Sequence, residues 1–322
     1  AQAAPIVIKC LPIDRAMIIA GSRFDLRVEV TGGQPDKIEV TVNGKDADAY
    51  LGVAGARTSE VAGKSGEVTW RQVTVTNAGP TAVQVVATVG GRTYTDTFTW
   101  TVLRLGEGRA KNVILFIADG MGYPTITATR IVSRGITEGK YDGFLNMDRM
   151  EYRGTVTTSG YDSLVTDSAN SASAYATGHK SVNNALGVYE DNTKDTLDDP
   201  KVENIIELVK RTRKMATGLV STADITDATP AAFAAHTRRR SDQAFVAATY
   251  LDEGHRPDVI MGGGSRWFLP KAQQGASLDD RDLVAEFRAA GYAVAATRAE
   301  MKAAPASASK ILGLFHTGNM SV

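Results

Sequence analysis

Residues 113–122 read VILFIADGMG, and this stretch gives the first indication of an α/β fold for the larger part of the chain. The unbroken apolar run 113–118 is typical of a strand that is buried on both faces of a parallel sheet. Asp119 ends the run, and the glycines around Met121 remove side-chain bulk where a ligand would approach the backbone. A carboxylate in this position can bind zinc or a harder cation, although a turn with a hydrated Asp119 explains the segment equally well.

Alternating strand and helix patterns continue towards the end of the chain. Apolar residues recur at helical spacing in 202–209, and the helical pattern of 283–290 would end at Gly291. Further strands are expected at 216–220, 258–261 and 311–315. The sequence therefore predicts an α/β fold with a doubly wound, largely parallel sheet and with ligands at the carboxyl ends of its strands.

The first third of the chain has a different pattern. Segments such as 24–30, 37–42 and 82–89 alternate apolar and polar residues, as half-buried strands do. The pairs Asn43-Gly44 and Gly90-Gly91 suit tight hairpin turns. We expect an all-β, immunoglobulin-like sandwich over 1–104, a linker over 105–111 and the α/β domain over 112–322. Residues 1–104 contain no cluster suited to chemistry, so the sandwich is expected to be an accessory or spacer module whose partner the sequence does not reveal.

Composition excludes several classes of protein. The 322 residues are 43% apolar, which excludes a mainly disordered chain, and 36 basic residues balance 36 acidic ones. The zero net charge gives no reason to expect nucleic-acid binding. Cys10 is the single cysteine, so no intrachain disulfide forms, and no apolar run approaches the roughly 20 residues of a transmembrane helix. The start at Ala1 is compatible with a processed export signal and equally with a trimmed chain.

Residues 166–178 read TDSANSASAYATG, which suits a helix beginning near Ser168 and closing at Gly178. The free N–H groups and the positive dipole end of such a helix would favour a phosphate or carboxylate and would lower the cost of a serine alkoxide. A nucleophilic serine still needs activation by a base or a metal. Asp167 or Ser168 acting simply as an N-cap, before small residues that pack closely, is the structural alternative.

Residues 227–230 read DATP, and three arginines follow at 238–240. Thr229 as an N-cap with Pro230 at the first helical position would explain DATP without function. The functional alternative assigns Thr229 and Asp227 to a hydrated magnesium ion and one arginine to a bidentate grip on phosphate oxygens. Spacing alone does not select which arginine.

Together these segments resemble the alkaline phosphatases of bacteria and animals. Residues 112–122 are similar to the first metal-binding motif of that family, 165–180 to its nucleophile signature, and 221–240 to its magnesium and phosphate-arginine segment. Segments 184–188 and 259–264 fit as well. The resemblance covers about 111–322 and excludes the β domain.

The resemblance implies catalytic roles for three residues. Ser168 would be the nucleophile that becomes phosphoserine, and Arg240 would clasp two phosphate oxygens. Asp167 would orient the arginine and water. The implied activity is hydrolysis of small-molecule phosphate monoesters by a periplasmic or secreted enzyme. Family members commonly form homodimers, although the added β domain could cover that contact.

The resemblance also implies two zinc ions and one magnesium ion. Asp119 would bridge one zinc and the magnesium, Thr229 would be a magnesium ligand, and Asp227 would hold the water shell of that ion. Zinc would bind Ser168 and activate it as an alkoxide. The family's other zinc ligands and its magnesium glutamate follow the segment that 313–320 resembles, so these residues are expected to be the front part of a longer phosphatase.

Two alternatives remain at this stage. A phosphodiesterase or a sulfatase-like hydrolase of the same superfamily would share the fold, but those relatives more often use threonine or a modified cysteine where this chain has Ser168. A non-catalytic binding or adhesion protein would use the sandwich and retain an incomplete phosphatase body.

Overall fold

The computed structural model describes residues 4–108 and 110–321. The β-strands are β1 Val7–Leu11, β2 Met17–Ile19, β3 Arg23–Thr31, β4 Lys37–Val42, β5 Lys45–Asp46, β6 Ala56–Thr58, β7 Ser65–Thr74, β8 Gly79–Val89, β9 Arg92–Leu103, β10 Ile136–Thr137, β11 Lys140–Tyr141, β12 Gly218–Asp224, β13 Val259–Gly263, β14 Ala293–Ala295 and β15 Ile311–Leu314. The α-helices are α1 Ala47–Leu51, α2 Tyr123–Arg134, α3 Ser168–Thr177, α4 Ile205–Arg213, α5 Ala228–Ala231, α6 Gln243–Thr249, α7 Leu283–Ala289 and α8 Arg298–Ala303. Short 3-10 helices cover Asn146–Arg149, Ser265–Phe268, Lys271–Gln273 and Leu278–Asp280. Among the described residues, no helix has both the length and the apolar character needed to span a bilayer.

The N-terminal part is a sandwich of two sheets, one in the order β1-β3-β7-β6 and the other in the order β2-β9-β8-β4-β5. Strand β2 runs parallel to β9, and the other pairings are antiparallel. Apolar side chains of both sheets, among them Phe24, Trp70 and Trp100, form one buried core. The expected strands and the two-sheet architecture are present, while an immunoglobulin-like topology stays a prediction.

The two predicted hairpin turns are confirmed by their backbone angles. Asn43 and Gly44 have φ values of 50° and 77° and join β4 to β5. Gly90 and Gly91, at 56° and 73°, join β8 to β9. Positive φ at both central residues gives the turn the twist of the strands that it connects.

The C-terminal part contains a parallel sheet in the order β12-β13-β15-β14. Helices packed against it bury a second core that includes Ile260, Phe287 and Leu312. This is the α/β architecture that the alternating pattern predicts. Residues that follow the carboxyl end of β12 belong to the candidate site described below.

The expected strand over 113–118 is absent, and this prediction is wrong. No strand of the described residues pairs with this stretch, and Val113 and Phe116 are 79% and 90% exposed. An extended segment becomes a buried strand only when neighbouring strands accept and donate its backbone hydrogen bonds. The hydropathy of 113–118 shows that the stretch is suited to burial. It does not show whether neighbouring strands are present to pair with it.

Candidate active site

Helix α3 begins as the sequence predicts and places Ser168 in its first turn. Asp167 is the N-cap: its Oδ1 accepts the backbone N–H of Asn170 at 3.0 Å, and the Asn170 side chain accepts the Asp167 N–H at 3.2 Å. Ser168 is the first helical residue and is half-buried. The helix ends at Gly178, whose φ of 79° closes the last turn. The Ser168 hydroxyl therefore lies where backbone N–H groups and the helix dipole favour negative charge.

Arg240 joins three of the predicted site residues. Its Nη1 lies 2.8 Å from Oγ of Ser168 and 3.4 Å from Oδ2 of Asp167. Its Nη2 lies 2.8 Å from Oδ1 of Asp227. The guanidinium keeps its positive charge, because the Asp227 and Asp167 carboxylates more than offset burial and raise its pKa. The structure thus brings together a hydroxyl, two carboxylates and one arginine.

The structure also separates the three arginines of the run 238–240. Arg238 forms an ion pair with Glu190 at 2.5 Å, and Arg239 is exposed. Arg240 alone among them contacts Ser168 in the described residues. This geometry favours Arg240, the choice implied by the family resemblance, over its two neighbours.

Asp119 and Thr229 form the second part of the site. The Thr229 hydroxyl donates to Oδ2 of Asp119 at 2.5 Å, although Asp119 follows an irregular and exposed segment. The structural alternative for this segment, in which Thr229 caps its helix, is wrong. Asp227 is the N-cap of α5, because its Oδ1 accepts the Ala228 N–H at 2.7 Å, and Thr229 lies inside the first turn. Since α5 links Asp227 to Thr229, the two parts of the site are contiguous.

The donor atoms suit magnesium better than zinc. A carboxylate and a hydroxyl oxygen lie within 2.5 Å of each other at Asp119 and Thr229, and Mg²⁺ binds such oxygens while keeping several waters. Zinc sites usually take three or four protein ligands from Cys, His, Asp and Glu. No group of three or more such residues that could hold a metal occurs in residues 4–108 and 110–321. The oxygens of Asp119 and Thr229 are thus of the kind that Mg²⁺ binds, whereas the described residues do not provide the ligand set of a zinc site.

Sequence reasoning missed the role of the Asn184 backbone. The N–H of Asn184 donates to Oδ2 of Asp167 at 3.0 Å, and its carbonyl accepts the Arg240 N–H at 2.7 Å. Asn184 has a φ of 70°, a conformation that Asn adopts more readily than most residues. An asparagine in a loop indicates a turn, but no sequence signal shows which side chains a backbone group will hold.

A buried charged cluster lies close to the chain segment that leads to Arg240. Glu207 Oε1 lies 3.0 Å from Nε2 of His236 and 3.2 Å from Nδ1 of His255. Burial lowers the pKa of His255, but Asp252 and Glu207 more than offset this effect and raise it to about 9. The paired histidines hold the pKa of Glu207 well below its usual range despite burial. The cluster fixes α4 to the segment that contains His236.

The parallel sheet with its packed helices places this part of the chain in the α/β class. A serine, an arginine and oxygen ligands are grouped beyond the carboxyl end of β12, and such a group of side chains can bind an oxyanion. A family model described as alkaline phosphatase matches residues 110–322. The chain belongs to the alkaline phosphatase family.

Individual relatives agree with this assignment. The chain is 38% identical over 243 residues to alkaline phosphatase H of Pseudomonas aeruginosa, covering 68% of this chain and 48% of that protein. It is 38% identical over 233 residues to streptomycin-6-phosphate phosphatase of Streptomyces griseus, covering 66% of this chain and 49% of that protein. A TAB5 alkaline phosphatase mutant, solved with Mg bound in its M3 site, has a TM-score of 0.51 and 28% identity over 63% of this chain and 52% of that one. The chain thus spans about half the length of these curated relatives.

Proposed function

We propose that this chain carries the serine half of the active site of a metal-dependent phosphomonoesterase that works through a phosphoserine intermediate. The observation that carries the proposal is the 2.8 Å contact between Nη1 of Arg240 and Oγ of Ser168 at the start of α3. A guanidinium and a helix N-terminus both favour the oxyanion of a phosphate group. Membership of the alkaline phosphatase family supports the same reaction.

In the proposed reaction, Oγ of Ser168 forms a bond to phosphorus as the bond between phosphorus and the leaving oxygen breaks, and the serine proton passes through solvent to that oxygen to give the alcohol. Water then cleaves the bond between phosphorus and Oγ, returns a proton to Ser168 and releases inorganic phosphate. Arg240 would donate from both Nη atoms to oxygens of the phosphoryl group, exchanging its present acceptors Ser168 and Asp227 for the substrate. Asp167 would keep the guanidinium in place through its 3.4 Å contact.

Asp119 and Thr229 would hold the magnesium ion, and Asp227 would accept hydrogen bonds from its waters. Such an ion supplies positive charge and ordered water next to the reacting phosphoryl group. The described residues do not fit zinc, so no step is assigned to it. The related TAB5 alkaline phosphatase mutant has Mg bound in its M3 site, and this supports the proposal that activity depends on a metal.

The proposed substrates are small-molecule phosphate monoesters. One relative, the streptomycin-6-phosphate phosphatase of Streptomyces griseus, is named for a phosphorylated small molecule. We extend the proposal to an exported, periplasmic or secreted location and to a homodimer, both carried over from the family resemblance. We also propose the domain division into a sandwich over 1–104, a linker over 105–111 and a catalytic region over 112–322.

The test is to trap the covalent intermediate in the complete protein. Incubation with a phosphate monoester, an acid quench and peptide mass spectrometry should find phosphate on Ser168. The Ser168→Ala variant should lack both the modified peptide and turnover, whereas Ser171→Ala, one helical turn away on the same helix, should retain both. Normal turnover by Ser168→Ala would contradict the proposal. Preferential turnover of a diester or a sulfate ester would favour the alternative hydrolases instead.

A further inference from the structure

We propose that the β domain is part of the phosphate site's support rather than a spacer, and that Asn192 is the positioning residue that couples the domain to Arg240. The coupling passes through residues 190–201, called the bridging loop below. This loop contacts the sandwich on one side and the segment 237–240 on the other. The inference rests on the proposed function, because it concerns how tightly Arg240 holds phosphate.

On the sandwich side, Asn192 makes hydrogen bonds to three residues of two neighbouring strands. Its backbone N–H donates to Oε1 of Glu29 at 3.0 Å, and its Nδ2 donates to Oε1 of Glu67 at 2.6 Å. Its Oδ1 accepts from Nη2 of Arg27 at 2.7 Å. All three partners are almost fully buried, and Glu29 lies directly opposite Glu67 in the pairing of β3 with β7. Arg27, Glu29 and Glu67, called the charged platform below, therefore hold Asn192 in place. Removal of the Asn192 side chain would leave Arg27 and Glu67 each without one hydrogen-bond partner.

The two ends of the bridging loop are also bound to the sandwich. Lys9 donates to the Glu190 carbonyl at 2.6 Å at the start of the loop. At its end, Oδ2 of Asp25 accepts the Lys201 N–H at 3.1 Å, and the Asp25 N–H donates to the Lys201 carbonyl at 2.8 Å. Strands of the β domain therefore hold the bridging loop at both of its ends.

On the catalytic side, the same loop holds the segment that carries Arg240. The Thr196 carbonyl accepts the Arg238 N–H at 2.9 Å and lies 3.3 Å from the Thr237 hydroxyl. The Arg238 side chain pairs with Glu190 at 2.5 Å. Arg240 lies two residues beyond Arg238, and a further backbone bond to Asn184 holds it from the other side.

These contacts form a continuous path from buried charges of the sandwich to the guanidinium that faces Ser168. A bidentate grip on phosphate requires both Nη atoms to be in place, so a small displacement of the backbone at 237–240 weakens it. Loosening the bridging loop should therefore reduce phosphate affinity without touching any group at the site. We expect Asn192→Ala to raise the inhibition constant for inorganic phosphate about twofold to thirtyfold, the range for substitutions that act through intervening contacts.

The experiment compares three variants of the complete protein. Asn192→Ala removes the central side-chain contacts. Lys9→Met removes the hydrogen bond to the Glu190 carbonyl and the 3.7 Å ion pair with Glu29, so it tests the same path from a side chain that is 35% exposed. Val40→Ala is the matched control, because Val40 lies in the sandwich core on β4, in the sheet that does not contain β3 and β7. The readouts are the inhibition constant for inorganic phosphate and amide hydrogen exchange at 237–240.

We expect Asn192→Ala, and more weakly Lys9→Met, to weaken phosphate inhibition and speed exchange of the Arg238 and Arg240 amides, whereas Val40→Ala changes neither. The effect on phosphate should vanish when Arg240→Ala is already present. Unchanged exchange at 237–240 in both loop variants would overturn the inference, as would an equal change in Val40→Ala. Failure of the proposed function is distinguishable, because the unmodified protein would then show no phosphate inhibition while the exchange measurement still reports the coupling.

Discussion

Nη1 of Arg240 lies 2.8 Å from Oγ of Ser168, although the two residues are 72 positions apart in the chain. The contact places the charge of the arginine beside the hydroxyl at the start of α3. The contact also distinguishes Arg240 from Arg239, which is exposed to solvent.

Arg240→Ala should weaken inhibition by inorganic phosphate by about 1.5–3 kcal/mol, the contribution of hydrogen bonds to a charged group. Arg239→Ala removes the same charge from an exposed position and serves as the control. The measurement is the inhibition constant for phosphate in both variants. Equal effects would show that net charge, rather than the contact with Ser168, determines phosphate affinity.

Asp167→Ala should lower both stability and activity, because Asp167 caps α3 and contacts Arg240. Loss of an N-cap costs about 0.5–2 kcal/mol. Asp282→Ala removes the comparable cap of α7, where Oδ1 accepts the Ala285 N–H at 2.9 Å, and should cost a similar amount of stability. Urea unfolding and turnover measured together separate the two effects. The prediction fails if Asp282→Ala reduces turnover as much as Asp167→Ala.

Thr229→Val should reduce the affinity of the complete protein for magnesium, because it removes the hydroxyl that contacts Asp119 and keeps the side-chain volume. Thr212→Val is the control, since its hydroxyl bonds only locally within α4, to the Leu208 carbonyl. Magnesium titration of the metal-stripped proteins, followed by calorimetry, gives the two affinities. Identical binding curves for Thr229→Val and Thr212→Val would remove Thr229 from the proposed ligands.

Stability should fall as the pH rises from about 4 to about 7 because of Asp199. Burial and repulsion from Asp191 raise the pKa of Asp199 to about 7, and its Oδ2 has no hydrogen-bond partner among the described residues. In the unfolded chain the pKa of this carboxyl is about 4. Between this pKa and that of the folded chain, the folded protein keeps a proton that the unfolded chain has lost, so rising pH favours unfolding. Asp199→Asn should flatten this part of the stability profile and make the protein more stable above pH 7, as measured by denaturant unfolding. An unchanged slope would contradict the assignment.

His255 should produce a second loss of stability at higher pH. Its pKa is raised to about 9 by Asp252 and Glu207 against the effect of burial. The stabilisation is therefore complete below about 6.5, the value in an unfolded chain, and is lost as the pH rises through about 9. His255→Gln should show a smaller decline over this range in thermal unfolding. A decline that matches the unmodified protein would point to another titrating group.

The sequence predicted the sandwich strands well because alternation reports which side of a strand faces a core. In β3, Phe24, Leu26 and Val28 face the core, as expected. In a half-buried strand the alternate polar residues, here Arg27 and Glu29, would face solvent, whereas both are buried against the bridging loop. Alternation distinguishes apolar from polar faces, but it does not show whether the polar face meets water or another part of the chain.

The site was predictable to the extent that it depends on local chemistry. The start of α3 follows from Asp167 and the small residues after it, which are local capping signals. Arg240, and not its two neighbours, contacts Ser168 because backbone hydrogen bonds to distant segments hold 238–240 in place. The amino-acid sequence does not show which distant segments these are. The stretch 113–118 shows the converse, because a strong local preference for a strand is not sufficient without partners for its backbone.

The charged platform of Arg27, Glu29 and Glu67 has a consequence for the order of assembly. If the sandwich folds before residues 190–201 dock on it, the face that it exposes at this point is charged rather than apolar, and a charged face does not promote aggregation. In that order of assembly, docking of residues 190–201 would remove the platform from water, and the contacts that hold 237–240 would form last.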